Sequence, residues 1–181
     1  RSTKDGIACM SFPGAGSETP VEMMENSLPI TVLRKQLVAD SAGAGKFRGG
    51  EGQEFAIRSE SEAPLTVLVQ HMKVHTPTAG YIGGGAGAKG MNRLNGKDLP
   101  GSATRSLEHG DILEVRVCGG GGMLDPWERP PDAVAYDVAQ GLLSAGAARR
   151  QYGVVISEQG AIDARATAAQ RSARTQASKP E

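Results

Sequence analysis

Apolar and polar residues alternate in three short stretches of the chain, and these, with a β-favouring run before them, predict four strands. Val32, Leu33, Leu37 and Val38 lie in a β-favouring run from Thr31 to Asp40, which stops at the turn formers Asp40-Ser41-Ala42-Gly43. Phe55 and Ile57 share a face between Glu54 and Arg58, and Leu65, Val67 and Val69 repeat that period after Pro64. The clearest alternation runs from Asp111 to Cys118, with Leu113, Val115 and Val117 on one side and Ile112, Glu114 and Arg116 on the other, before Gly119-Gly120-Gly121-Gly122. Between the third and fourth of these strands, Thr76 to Gly101 holds eight glycines and reads as a long structured loop or several tight turns.

Helical spacing is confined to the two ends. Thr19 to Glu25 predicts a short helical turn begun by Pro20. After Trp127, Pro130-Pro131-Asp132 opens a helix over about 132–141, with Val134, Val138 and Leu142 as an apolar stripe. Ser144 caps a second helix that Gly153 ends, and Val154-Val155-Ile156 reads as a short strand. From Ala164 to Ala177 the chain is rich in alanine, so its stripe is too small to bury much surface without a partner surface. Its Arg165, Arg171, Arg174 and Lys179 read as a solvated face rather than a binding arm. The pattern predicts an α+β fold: a β-rich, glycine-looped domain of mostly antiparallel strands over 31–126, with a helical C-terminal region over 127–181. Residues 1–30, which start with Arg1, read as a connecting segment continuing from a missing N-terminal half.

Composition narrows the functional classes. Lys and Arg together number 20 and so do Asp and Glu, so the net charge of zero argues against a nucleic-acid partner. No apolar run is long enough for a membrane span, nor do the first residues carry a signal-peptide stretch, which predicts a soluble, cytoplasmic protein without a membrane partner. Cys9 and Cys118 are the two cysteines; far apart and without CxxC spacing, they indicate neither a zinc site nor a disulfide framework. Glycine, at 25 residues, is about twice its average usage, so turns and close backbone approaches organise much of the chain.

The candidate motifs are weak one by one. Gly85-Ala86-Gly87-Ala88-Lys89-Gly90 spells a dinucleotide fingerprint, but Met91-Asn92-Arg93-Leu94-Asn95-Gly96 is a poor helix start and tight turns explain the glycines better. Gly45-Lys46 is followed by Phe47, where a phosphate-binding loop needs a hydroxyl. Arg48, between glycines, suits either a ligand contact or a structural salt bridge. His71 and His75 lack a third ligand, and His109 belongs to a turn. With no Gly-x-Ser-x-Gly element and no Cys near a His in sequence, nucleophilic catalysis by this chain alone is not supported.

The ordered series says more than any single motif. Thr19-Pro20-Val21-Glu22 with Glu25 and Pro29, Asp40 through Gly50 with Gly52, Gly80-Tyr81-Ile82-Gly83-Gly84, and Gly110-Asp111 through Gly122 follow one another as in the C-terminal part of the hydantoinase B/oxoprolinase family. Asp137 to Gly141, Tyr152 to Val155, and Asp163 with Ala166, Thr167 and Arg171 resemble that family's ending. The family includes the related ketone carboxylase large subunits. Ala42 departs from the family's usual Gly, and Val117-Cys118 stands where Thr-Pro is common.

The resemblance implies a C-terminal region or split subunit of a hydantoinase B-type component in a multi-subunit, ATP-dependent enzyme. Its reaction would be hydrolysis of a cyclic amide (hydantoin, 5-oxoproline or lactam) or carboxylation of a ketone. It further implies ATP and Mg2+ on a hydantoinase A-type partner subunit, a divalent metal in the missing N-terminal half, no cofactor or metal on this chain, and a hetero-oligomer. The isolated chain is expected to be inactive, with no catalytic residue assigned. Asp40, Ser41, Lys46, Arg48, Gly83, Gly84, Gly119, Gly120, Gly121 and Gly122 are the substrate-pocket candidates. The alternative is a non-catalytic assembly module of such a complex.

Overall fold

A computed structural model describes residues 3–9 and 19–177, with side chains through 174. The β-favouring run and the three alternating stretches form strands β1 (Ile30–Leu37), β2 (Gln53–Ser59), β3 (Leu65–Gln70) and β7 (Ile112–Arg116), as the sequence predicts within a few residues at each end. Helix α1 (Val21–Ser27) precedes β1, with Pro20 outside it as the capping residue.

The stretch read as loop holds two more strands, β4 (Met91–Leu94) and β5 (Lys97–Asp98), and a third, β6 (Ser102–Leu107), follows directly after it. β4 and β5 form a hairpin whose turn is Asn95-Gly96, both at positive φ (49° and 75°), the conformation that a two-residue hairpin turn demands. β6 has little apolar alternation of its own; only Ala103 and Leu107 are buried, opposite Val69 and Leu65 of β3. Its strand character comes from its partner, which local pattern does not show.

The strands make an antiparallel sheet in the order β1-β2-β7-β4-β5 and a two-stranded ribbon, β3-β6. Register explains the two faces of the larger sheet. Val32, Ile57, Leu113 and Leu94 line up across neighbouring strands, beside Phe55 and Val115, and this apolar face packs with Val69 and Leu107 of the ribbon. On the opposite face Arg34 bridges Glu54 (3.1 Å) and Glu114 (2.5 Å), and Arg116 bridges Glu54 (3.1 Å). The sheet is apolar where it is covered and carries charge pairs on the other side.

Helices α2 (Pro131–Ala139), α3 (Ala145–Tyr152) and α4 (Ala164–Ala177) follow. Ser144 Oγ accepts from the Ala147 N–H (3.1 Å) and Gly153, at φ 64°, closes α3, both as the sequence predicts. Val154 to Ile156 is not a strand: Ile156 makes only an isolated bridge to Ile162. The partner surface that α4 needs lies within the chain. Asp163 caps α4 by accepting from Ala166 N (2.9 Å), Thr167 Oγ1 accepts from Val155 N (3.0 Å), and Arg171 donates to the Tyr152 and Arg129 carbonyls. Arg174 stacks on Trp127, 4.7 Å from the ring centre. Arg171 is therefore a docking group, which corrects its reading as part of a solvated face, while Arg174 remains exposed as it contacts Trp127. Lys179 lies outside the described residues.

A second core gathers Val134, Leu143, Ala147, Ala148, Tyr152 and Val154 around Ala44, so a residue of the first glycine loop completes the packing of the helices. Among the described residues, no helix is long and apolar enough to cross a membrane.

Candidate functional site

Three glycine-rich segments, around residues 40–52, 79–88 and 118–125, come together beside the sheet. Backbone hydrogen bonds lace them: Gly43 N to Gly120 O (2.8 Å), Gly120 N to Gly50 O (2.8 Å), Gly85 N to Ala44 O (2.6 Å), Gly122 N to Gly85 O (2.9 Å) and Ala88 N to Ser41 O (2.8 Å). The laces are short because the backbones touch. A Cβ on Gly119 would fall onto the Ser41 carbonyl, and one on Gly122 onto the Ala44 carbonyl. Glycine is thus required at these crossings by lack of space, and the resulting clasp is a rigid backbone element. The Gly85–Gly90 motif belongs to it. Gly85, Gly87 and Gly90 spend their N–H groups on Ala44, Thr78 and Lys73 carbonyls, and strand β4 follows instead of a helix, so no phosphate cradle forms.

The polar candidates occupy different places in the clasp. Asp40, at φ 59°, accepts from Ser144 N (2.7 Å) and ties the first loop to the start of α3. Ser41 is buried; its hydroxyl donates to Val38 O (2.5 Å) and accepts from Gly52 N (2.8 Å). Arg48 donates from Nε to Asp137 Oδ1 (3.1 Å) and from Nη1 to Gly49 O (3.0 Å). Glu51 Oε1 lies 2.6 Å from the same Nη1 but off the N–H direction, so that contact is an ion pair without a hydrogen bond. Lys46 differs: its ammonium is partly exposed and meets only the exposed carboxylate of Glu128, at 3.2 Å, among the described contacts.

Arg48 belongs to a buried ionic cluster that the sequence reading did not assemble. Arg129, with 4% of its side chain exposed, donates to Asp137 (2.8 Å, 2% exposed) and makes two bonds to Asp5 (2.7 and 2.9 Å). Asp5 also accepts from Arg48 N (3.0 Å), fastening the strap 3–9 to the clasp. Burial works against the Asp5 carboxylate, but the hydrogen bonds and charge of Arg129, with Arg48, outweigh it and hold its pKa below the ordinary value. Burial likewise opposes the Arg129 charge and is outweighed by Asp5 and Asp137, which keep its pKa raised. Asp137 already stood in the sequence signature of the family's ending; what no local signal showed was that Arg48, Arg129 and Asp5 converge on one another.

Gly83 and Gly84 end an exposed turn in which Gly84 N returns to Tyr81 O (3.1 Å). Ile82 (φ 45°) and Gly83 (φ 84°) are both left-handed, a rare state for a β-branched residue. Tyr81 and Ile82 are 67% and 62% exposed, so their display rests on the clasp beneath, where Tyr81 N bonds Gly122 O (2.9 Å) and Leu124 N bonds Tyr81 O (3.1 Å). Ile82→Gly removes a left-handed cost of about 1–2 kcal/mol against a glycine entropy cost of about 0.5–1 kcal/mol. Thermal unfolding of that variant should show a net gain of roughly 0.5–1 kcal/mol.

Two depressions flank the clasp. One, of about 380 Å3, is lined by Ile7, Cys9, Glu51, Thr78 and Cys118. The other, about 610 Å3, lies against the sheet's apolar face and includes Met24, Phe55, Leu68, His71 and Val115. His71 Nδ1 is 3.1 Å from Asn92 Oδ1, and Asn92 Nδ2 donates to Pro100 O, so the imidazole is held as a structural group. No cluster of three or more His, Cys, Asp or Glu side chains is placed to hold a metal among the described residues.

The fold and the clasp define an α+β module in which interlocked backbone joins the sheet to the helices. The chain belongs to the hydantoinase B/oxoprolinase family, whose profile matches residues 1–126. It is 36% identical over 174 residues to caprolactamase subunit beta of Pseudomonas jessenii, covering 88% of this chain and 29% of that protein. An uncharacterised protein of Methanocaldococcus jannaschii is 35% identical over 140 residues, covering 76% of this chain and 25% of its relative. Among solved structures, the ATP-dependent caprolactamase of P. jessenii superposes with a TM-score of 0.74 at 31% identity, over 88% of this chain and 29% of that one. Nucleotide-free acetone carboxylase gives the same TM-score at 21% identity, over 98% of this chain and 30% of that one, a likeness of fold. The chain thus spans between a quarter and a third of the length of these relatives.

Proposed function

We propose that this chain is the C-terminal region, or a split subunit, of the hydantoinase B-type component of an ATP-dependent cyclic-amide hydrolase, with lactams as the first substrate class to try. The 36% identity to caprolactamase subunit beta carries this reading. A ketone carboxylase is the second branch, supported by the acetone carboxylase fold. In both, ATP and Mg2+ belong to a hydantoinase A-type partner, the divalent metal belongs to the N-terminal half of the B component, and the assembly is a cytoplasmic hetero-oligomer. Phosphorylating an amide or enol oxygen supplies a good leaving group or a reactive nucleophile, which is why both branches consume ATP.

The clasp's part is to shape or close a cavity, with the backbone of Gly83, Gly84 and Gly119 to Gly122 belonging to its wall. Asp40, Ser41 and Arg48 brace that wall through their internal bonds. Lys46 is the candidate for direct electrostatic work, since its ammonium is committed only to a solvent-exposed carboxylate. Co-expression of the chain with an A-type subunit and the N-terminal half, assayed for ADP release with ε-caprolactam, 5-oxoproline, hydantoin, or acetone plus bicarbonate, tests the reading. Lactam-dependent ADP release requiring every component is expected; ATP-independent hydrolysis by the isolated chain would sink it.

Lys46→Ala in that complex should lower turnover on the order of 100-fold. It should leave thermal stability within about 1 kcal/mol, because an exposed ion pair contributes little. Unchanged turnover removes Lys46 from the site and favours the second reading, an assembly module that contributes no reacting group. The observation behind that alternative is the commitment of Asp40, Ser41 and Arg48 to internal bonds.

A further inference from the structure

The Tyr81–Gly84 turn closes through Gly84 N on Tyr81 O (3.1 Å), and both of its central residues, Ile82 (φ 45°) and Gly83 (φ 84°), are left-handed, the pattern of a type I′ turn. The chain makes a second turn of this kind at Asn95-Gly96, with the asparagine that such a position favours. Residue 82 is instead isoleucine, whose branched side chain opposes the left-handed state. It is 62% exposed beside Tyr81 at 67%, so neither side chain is there to fill the core. A second bulky left-handed residue, Leu124 (φ 64°), lies one hydrogen bond away, with its N–H on Tyr81 O (3.1 Å). Strained residues of this sort gather at active sites and ligand clamps.

Backbone pairing sets what stands next to that turn. Residues 122–124 form a middle segment: Met123 pairs with Phe47 on one side (Met123 N to Phe47 O, 2.9 Å) and with Tyr81 on the other, where Tyr81 N bonds Gly122 O (2.9 Å). Lys46 N bonds Leu124 O (3.4 Å), so the backbones of Lys46 and of Tyr81-Ile82 flank this segment about 10 Å apart, two strand spacings. One flank is apolar and exposed; the other carries an ammonium that meets only the exposed Glu128 carboxylate among the described contacts. A small molecule that is hydrocarbon at one end and negatively charged at the other complements the two flanks.

We propose that Tyr81 and Ile82 are specificity-determining residues of the site: they form an apolar lip that receives the hydrocarbon part of a lactam ring, while Lys46, across the middle segment, meets the negative charge of the activated amide. This inference rests on the cyclic-amide reading above and narrows it. A lactam ring is all methylene apart from its amide, so each methylene laid on the lip leaves water and adds to binding. Hydantoin and 5-oxoproline place a further N–H, carbonyl or carboxylate where Ile82 and the face of the Tyr81 ring offer no hydrogen bond, and the lost hydration counts against them. The clasp beneath the turn holds both side chains on a rigid base, so the lip does not have to be ordered when the ring arrives.

The test compares ε-caprolactam with 2-pyrrolidinone, a ring two methylenes smaller, by lactam-dependent ADP release in the complex of this chain with an A-type subunit and the N-terminal half. The native complex should favour ε-caprolactam on the order of 15-fold in kcat/KM, about fourfold for each methylene. Ile82→Gly keeps the left-handed turn and should cut that preference by about fourfold; with Tyr81→Ala added it should fall to about threefold or less, the loss lying in KM rather than kcat. A residue that only supports the fold would lower kcat for both rings alike. Equal use of both rings by the native complex, an unchanged preference in Ile82→Gly, or loss of subunit assembly in that variant by native mass spectrometry overturns the inference, the last because the turn would then face a partner chain. A native complex without any cyclic-amide-dependent ADP release sinks the cyclic-amide reading and this inference with it, whereas an active complex with unaltered variants sinks the inference alone. Ile82→Gly carries the test even if Tyr81→Ala does not fold.

Discussion

Replacing Gly119 by alanine is expected to abolish recovery of folded chain. The added methyl would coincide with the Ser41 carbonyl oxygen, and Ala42 N lies 3.1 Å from the same point. Neither obstacle is a side-chain tip that can swing away. Relief would require parting the first and third loops, which would break the Gly43–Gly120 and Gly120–Gly50 hydrogen bonds and disturb Ala44, whose methyl is packed among Val134, Ala147 and Tyr152. One methyl therefore couples to both the clasp and the helical core, and a loss above about 4–5 kcal/mol follows. Gly160→Ala is the matching control. Gly160 also has positive φ (80°), but open space surrounds it, so the cost is the backbone preference of about 1–2 kcal/mol. Soluble yield and thermal unfolding by circular dichroism compare the two; a folded Gly119→Ala chain as stable as the control would show that the clasp is not close-packed.

The second large effect is expected at Asp137. Its carboxylate receives Arg48 on one oxygen (3.1 Å) and Arg129 on the other (2.8 Å), and all three side chains are largely withdrawn from water. Asp137→Ala leaves two guanidinium groups facing each other with Glu51 and Asp5 as their remaining acidic partners, and breaking a buried pair from one side costs about 3–5 kcal/mol. For a chain of this size that is a fall in Tm of roughly 6–20 °C. Asp137→Asn keeps an acceptor on the helix and should lose less. If Asp137→Ala melted within about 1 °C of the parent, the cluster would be electrostatically idle, contrary to its burial. Arg48→Ala is a poor probe of catalysis for the same reason, since any loss of turnover would be mixed with loss of fold.

Much of the strand and helix content was legible because it rests on periodicity. Phe55 and Ile57, or Leu113 and Val115, alternate since one face of their strand meets the ribbon and the other meets water and charge partners. Ser144 and Gly153 bracket α3 through local hydrogen bonds and a left-handed φ, which need no distant residue to be read. The Asn95-Gly96 hairpin was also written locally, but it was masked by the surrounding glycines, which made the whole stretch look like loop. β6 was not written locally at all, because Ser102 to Leu107 is a strand only while paired with β3.

The order of the motifs, glycine-rich and otherwise, pointed to the family from the sequence by itself, and with it to the expectation of an ATP-dependent assembly; the glycines among them stand where backbones cross and a Cβ has no room. Which glycines cross, and over which carbonyls, was decided only by the tertiary structure: Gly119 meets Ser41 from the far side of the chain. The same holds for the charged candidates. Sequence placed a positive residue between glycines at 48 and left its partner open; folding brought Asp5, Arg129 and Asp137 to it, and left Lys46 at the surface. An ion pair forms through space at a few ångström, so residues distant along the chain share one buried cluster, and no spacing in the sequence records that they will meet.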